Sequence, residues 1–300
     1  MPEQSADEIL DFNVRYHDLA SQSYDSKWGI DYGEKGAQQV LGKMRKALGQ
    51  PLRPMGRGLE IGAGTGYFSL NLLKQGILSE ATCTDVSAGM LETLQSSAER
   101  LHLDVETVVC DAENLPFENN SFDVVFGHAV LHHIPDLERA FSEFRRVLKP
   151  GGLVAFCGEP SRTGDRLAGY PKRAALAIAP VWRRAMGARK HEGADGTWGK
   201  DEEASLEPYV DVHAFTPADL EQAARAGGFT TVRIKGEELA ASWFGWANRT
   251  LESTAEPSDV PWLWRRYAFH GYLALQRVDR ALLEPYLPPQ IFYNLLISAS

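Results

Sequence analysis

Leu59-Glu60-Ile61-Gly62-Ala63-Gly64-Thr65-Gly66-Tyr67-Phe68 places three glycines between a short apolar run and a segment of helical period. The chain must turn sharply here. Glycine supplies backbone angles that other residues adopt only at a cost, and without a Cβ its backbone amides can approach a ligand closely. Outward from this stretch, apolar runs alternate with helical segments, the pattern of parallel strands joined by crossover helices. Strands are predicted at residues 58–61, 81–85, 106–110, 122–128 and 152–157. Between the last two, Leu137, Ala140, Phe141, Phe144, Val147 and Leu148 fall on one helical face before Lys149-Pro150-Gly151-Gly152 stops the helix.

Further along, Thr216 caps a helix with Pro217 in its first position and Gly227-Gly228 at its end. Residues 229–234 then read as a sixth strand, and residues 291–297 as a last strand returning beside it. The expected organisation is an N-terminal helical lid (1–50), a ligand-binding core (51–160), an insertion (161–213), a core helix with the sixth strand (214–238), an aromatic-rich helical insertion (239–288) and the last strand (289–300). In the N-terminal stretch Tyr16, Leu19, Tyr24 and Trp28 supply apolar surface, for packing or for a lid.

The 300 residues, 44% hydrophobic and 24% charged, suit a globular α/β core carrying insertions. A net charge of −9 opposes a general grip on polyanions, so nucleic acid is not expected as a partner. MPEQSADEIL is acidic where a signal peptide would be basic and then apolar, and no run of about 18 uncharged apolar residues occurs, so a cytoplasmic location is expected. Cys83, Cys110 and Cys157 lie far apart at predicted strand ends and read as buried, inert thiols. No metal-ligand spacing is present, and no metal is expected.

The glycine spacing is GxGxG. A dinucleotide-binding GxGxxG would put its third glycine where Tyr67 stands, which leaves a nicotinamide or flavin cofactor as the runner-up. Asp85 ends the second strand nineteen residues after Gly66, where a carboxylate can accept from two ribose hydroxyls, or simply charge the N-terminus of the helix beginning near Ser87. Asp111 follows the third strand, in reach of an exocyclic amine or merely part of a turn.

In order, LEIGAGTGYFSL, CTDVSAGML, DAENLPFENNSFDVVFGHAVLHHIPD and LKPGG resemble the motifs of class I S-adenosylmethionine-dependent methyltransferases, in the ubiquinone/menaquinone-biosynthesis (type 11) branch. The resemblance covers roughly residues 55–160 and extends to TPADLEQAARAGGF. It implies a Rossmann-like α/β fold with a seven-stranded sheet whose last strand is antiparallel, N-terminal helices and two largely helical insertions. It also implies that Glu60, Gly62, Ala63, Gly64 and Gly66 form the methionyl and ribose neighbourhood of S-adenosylmethionine and Asp85 takes its ribose hydroxyls. Val86 would pack on adenine, Asp111 meet its amino group, Ala112 offer a backbone amide, and His128 lie beside the amino acid portion. S-adenosylhomocysteine would be the product.

Methyl transfer requires in-line positioning, exclusion of water and, for some acceptors, a base. His128 and His132 are the candidate catalytic contacts, with a structural role in the loop as the alternative. The insertion from Ser161 carries Arg162, Arg166, Lys172, Arg173, Arg183, Arg184, Arg189 and Lys190 around an apolar run, either a solvated face or a peripheral contact with an anionic membrane or an acidic acceptor. The second insertion holds Trp243, Phe244, Trp246, Trp262, Trp264, Tyr267, Phe269 and Tyr272, lining an acceptor pocket or forming a homodimer interface. The acceptor is expected to be a small molecule that is aromatic, quinone-like, lipidic or a secondary metabolite. A protein methyltransferase and a donor-binding regulatory module are the alternatives.

Overall fold

The computed structural model describes residues 5–21, 24–25, 29–191 and 213–300. Seven strands form one sheet: β1 (Arg57–Ile61), β2 (Glu80–Asp85), β3 (Glu106–Val109), β4 (Phe122–His128), β5 (Leu148–Pro160), β6 (Val232–Glu237) and β7 (Asn294–Ala299), in the order β3-β2-β1-β4-β5-β7-β6. The first five pair in parallel. β7 runs antiparallel. Its hydrogen bonds with the β6 segment show the opposed directions, since Thr231 pairs with Ser300 while Tyr293 donates to the Glu238 carbonyl.

Burial explains which strands lie inside. Leu59, Phe122, Val124, Val125, Phe126 and residues 154–157 are fully buried, as expected of parallel strands covered on both faces. Edge strand β3 is only half-covered. The helices of this sheet are α1 (Ala6–Ala20), α2 (Glu34–Leu48), α3 (Tyr67–Lys74), α4 (Ala88–Leu101) and α5 (Leu137–Val147). α5 buries Ala140, Phe141, Phe144 and Val147 and is capped by the Asp136 side chain.

After α5 come α6 (Arg162–Met186), α7 (Pro217–Ala226), α8 (Ala240–Ser253) and α9 (Trp262–Val278). Thr216 and Asp219 form a reciprocal capping box on α7, with Pro217 in its first turn.

Four boundaries differ from the sequence reading, each for a local reason. Leu148 begins β5 instead of ending the helix, and Lys149–Gly152 belong to the strand, because the buried helical face runs directly into a buried strand residue. Phe229 precedes β6 as a core anchor, its ring edge against Phe141. Residues 289–291 make a 3₁₀ turn that delivers the buried Phe292 before β7 starts. Cys110 lies one residue past β3 and is half-buried, its thiol pushed up to about 11 by desolvation, while Cys83 and Cys157 are buried in strands as read. Trp28 and residues 192–212 of the first insertion lie outside the described residues.

The chain separates into two compact units. The first comprises residues 1–159, 206–235 and 296–300 and holds most of the sheet. The second comprises residues 160–205 and 236–295, where α6, α8 and α9 pack around Ala175, Ala179, Trp182, Leu251 and Val260. Within it, the buried Asp279 accepts the backbone N–H groups of Leu239, Ala240 and Ala241, so a residue about forty positions away caps α8.

Candidate active site

β1 has β2 on one side and β4 on the other, so the strand order reverses at β1 and opens a crevice at the carboxyl ends of these strands. Residues 62–66 leave β1 at that point. Gly62, Gly64 and Gly66 all have positive φ (59°, 51° and 89°), the left-handed region that glycine enters without strain. Their surroundings differ. A Cβ on Gly62 would lie 2.3 Å from Val130 Cγ2 and one on Gly66 2.7 Å from Leu94 Cγ, whereas nothing lies within 4 Å of one on Gly64.

This contrast predicts separable effects. Gly62→Ala should cost about 2 kcal/mol or more from strain and overlap with the core, read as a lowered melting temperature. Gly64→Ala should cost only about 1 kcal/mol but weaken ligand binding, because its methyl group enters the open side of the loop.

Asp85, 8% exposed at the end of β2, ties the crevice together. Its Oδ2 accepts the Gly64 N–H (2.8 Å) and its Oδ1 accepts the Ser87 N–H (2.9 Å). Each oxygen retains a second acceptor direction, the arrangement needed for two vicinal hydroxyls. The Cys110 N–H donates to the Asp85 carbonyl, fastening the loop after β3 to the same spot. There Asp111 is half-buried and its Oδ1 accepts the Glu113 N–H (3.0 Å); Ala112 is buried and Val86 half-buried. In the glycine loop Thr65 is buried, 1% exposed.

Glu60 sits beneath the loop, 2% exposed, with Oε2 accepting both the Ser69 N–H (3.0 Å) and the Ser69 hydroxyl. Burial outweighs these bonds and pushes its pKa up to about 8, with Asp85 adding to the shift. The folded state therefore holds this proton more tightly than the unfolded chain. Its contribution to stability is complete below the ordinary carboxylate pKa and is lost as pH rises through about 8. Glu60→Gln should flatten that decline, with the variant gaining melting temperature on the wild type between pH 5 and pH 8.

At the other side of the crevice the structure brings His128, His132 and Glu159 to the ends of β4 and β5. Glu159, which the sequence reading did not single out, is fully buried. Its Oε1 accepts the Val130 and Leu131 N–H groups (3.0 and 3.2 Å), and its Oε2 accepts the His132 N–H (3.2 Å) and faces His132 Nδ1 (2.9 Å). A carboxylate so placed orients the imidazole with Nδ1 carrying the hydrogen, leaving Nε2 as the basic nitrogen. His132 is 8% exposed. His128 stacks on Phe68 (centroids 4.8 Å apart), and the missing Cβ of Gly158 makes room for its ring, since one built there would lie 2.7 Å from Nε2. His133 is half-buried between the rings of His132 and His17.

α1 reaches both sides of this crevice. Its Asp18 accepts the Ser87 hydroxyl and the Gly89 N–H beside Asp85, while its next residue back, His17, meets His133. Tyr32, between α1 and α2, donates its hydroxyl to the Thr65 carbonyl (2.7 Å).

A methyltransferase-domain family matches residues 59–156, the stretch from β1 into β5 that carries the glycine loop, Asp85, Asp111, His128 and His132. These residues thus match a methyltransferase domain, and the sheet around them has the class I methyltransferase fold. The chain is 33% identical over 192 residues to a malonyl-[acyl-carrier protein] O-methyltransferase of Methylococcus capsulatus, and 35% identical over 140 residues to a ubiquinone/menaquinone biosynthesis C-methyltransferase of Ralstonia nicotianae. These matches cover 62% and 46% of this chain and span 56% of the length of each relative. Among solved structures, a Haemonchus contortus phosphoethanolamine N-methyltransferase 2 aligns over 99% of this chain and 60% of its own with TM-score 0.59 at 20% identity. The [4+2]-cyclase SpnF aligns over 100% and 97% with TM-score 0.57 at 17% identity. The methyltransferase fold thus extends to a protein named for another reaction, and the reaction must be argued from the site.

Proposed function

We propose that this chain transfers a methyl group from S-adenosylmethionine to a small-molecule acceptor. The observation that carries the reading is the β1 reversal, where the open side of Gly64 and both Asp85 oxygens lie at the strand ends and the loop bearing Asp111 is fastened to Asp85. These groups fit the donor: Asp85 for ribose hydroxyls, Asp111 and the Ala112 amide for the adenine edge, Val86 for its face, and Glu60, Gly62, Ala63, Gly64, Gly66 and His128 around the remainder. S-adenosylmethionine, when bound, supplies an electrophilic methyl group.

The protein's own part is positioning, exclusion of water and handling of a proton. α1, clasped to Ser87 and to His133, acts as the lid that keeps water from the crevice. His132, with Nδ1 held by Glu159, accepts a proton at Nε2 from an acceptor hydroxyl, amine or activated carbon. His128, braced by Phe68, shapes the place where donor and acceptor meet. A small-molecule acceptor, free or carrier-bound, is supported by relatives named for O-methylation of a malonyl group on acyl-carrier protein and for C-methylation in ubiquinone/menaquinone biosynthesis.

The test is to incubate the chain with donor labelled in its methyl group and with an extract separated into lipid, small aqueous and protein pools. Label in either of the first two supports the proposal and yields a compound to identify. Label on protein that thioester cleavage does not release overturns it in favour of a protein methyltransferase, and no label in any pool overturns it in favour of a donor-binding module.

A further inference from the structure

The second unit leaves an unusual surface. No residue of α9 is buried, and its outward side exposes Trp262 (65%), Leu263 (71%) and Phe269 (46%) beside Arg266 and Arg277. The turns that follow add Leu282 and Tyr286, 62% and 79% exposed. The guanidinium of Arg266 lies over the Trp262 ring (4.7 Å), so apolar and cationic groups form one surface. α6 repeats the pattern. It buries Ala168, Ala175, Ala179 and Trp182 on one side and exposes Tyr170, Ile178, Val181, Arg173 and Arg184 on the other.

Charge decides what this surface fits. α6 and α9 together hold nine Lys and Arg residues against one acid, Asp165, in a chain whose net charge is −9. A second copy of the chain would bring like-charged helices face to face in a two-fold contact. Nucleic acid would satisfy the arginines but leave the large aliphatic and aromatic side chains without an apolar environment. An anionic bilayer surface satisfies both, the headgroups meeting the arginines and the acyl boundary taking the apolar groups. No helix among the described residues is long and apolar enough to cross a membrane, so contact would be in-plane.

We infer that the outward faces of α9 and α6 dock this protein on an anionic lipid surface. The site lies wholly within the second unit and does not depend on which acceptor is methylated. Flotation of the full chain with vesicles tests it. Vesicles of equal parts phosphatidylcholine and phosphatidylglycerol should carry the protein upward at low ionic strength, vesicles of phosphatidylcholine alone should not, and added salt should release it.

Two paired variants, Arg266→Glu with Arg277→Glu and Trp262→Ser with Leu263→Ser, should each reduce the bound fraction about tenfold. Both change exposed side chains, so melting temperature and S-adenosylhomocysteine affinity should remain those of the wild type. Failure to float with anionic vesicles overturns the inference. So does binding that survives both paired variants, or sedimentation as a dimer that these substitutions dissociate while vesicles bind nothing.

Discussion

Replacing Asp85 by alanine is expected to weaken donor binding by about 100-fold or more, the loss of two hydrogen bonds to a charged acceptor. Equilibrium dialysis with labelled S-adenosylmethionine reads this directly. Because Asp85 also holds the Gly64 and Ser87 N–H groups, the variant should lose about 1–3 kcal/mol of stability, and binding must be measured well below its melting temperature. Asp85→Asn keeps one acceptor oxygen and should fall between. If Asp85→Ala binds donor as the wild type does while remaining folded, the carboxylate has only the local role of fixing the turn into α4.

The second large effect concerns Glu159 and His132. Glu159→Gln turns an amide NH₂ toward groups that already donate, so it releases the His132 ring from its set orientation. For an acceptor that must lose a proton, the turnover rate should drop about 10²–10³-fold with donor affinity unchanged. His132→Ala should drop it similarly, again with donor affinity unchanged. Glu159→Ala instead strands three buried N–H groups and should cost about 3 kcal/mol or more, seen in thermal melts. An unaltered turnover rate in a folded His132→Ala variant would assign the pair to holding the loop and nothing more.

The positions of the glycine loop, Asp85 and Asp111 at one end of the sheet were legible in the sequence because each lies in a contiguous stretch. The three glycines and Asp111 each follow a strand whose apolar run announces it, Asp85 ends one, and parallel strands in this order must bring their carboxyl ends together. The strand boundaries slipped where burial continues through a change of element, as at Leu148, or where a buried aromatic anchors a turn, as at Phe229 and Phe292.

Glu159 was invisible for another reason. Only the pairing of β4 with β5, with His128 opposite Cys157, sets a carboxylate two residues farther along against the Val130–His132 turn. Asp18 is similar, since its partners Ser87 and Gly89 lie 69 and 71 residues away. The aromatic insertion divided as no periodicity could show. Trp264 packs on Trp182 and Tyr272 donates to Glu238, whereas Trp262 and Phe269 face outward.

The account stands or falls on the ligand held at the β1 reversal. Calorimetric titration of the wild-type chain with S-adenosylhomocysteine, and separately with NAD, measures it. The structure predicts a single site for S-adenosylhomocysteine and no heat of binding for NAD. Binding of NAD with no response to S-adenosylhomocysteine would contradict the account and make the glycine loop a dinucleotide site.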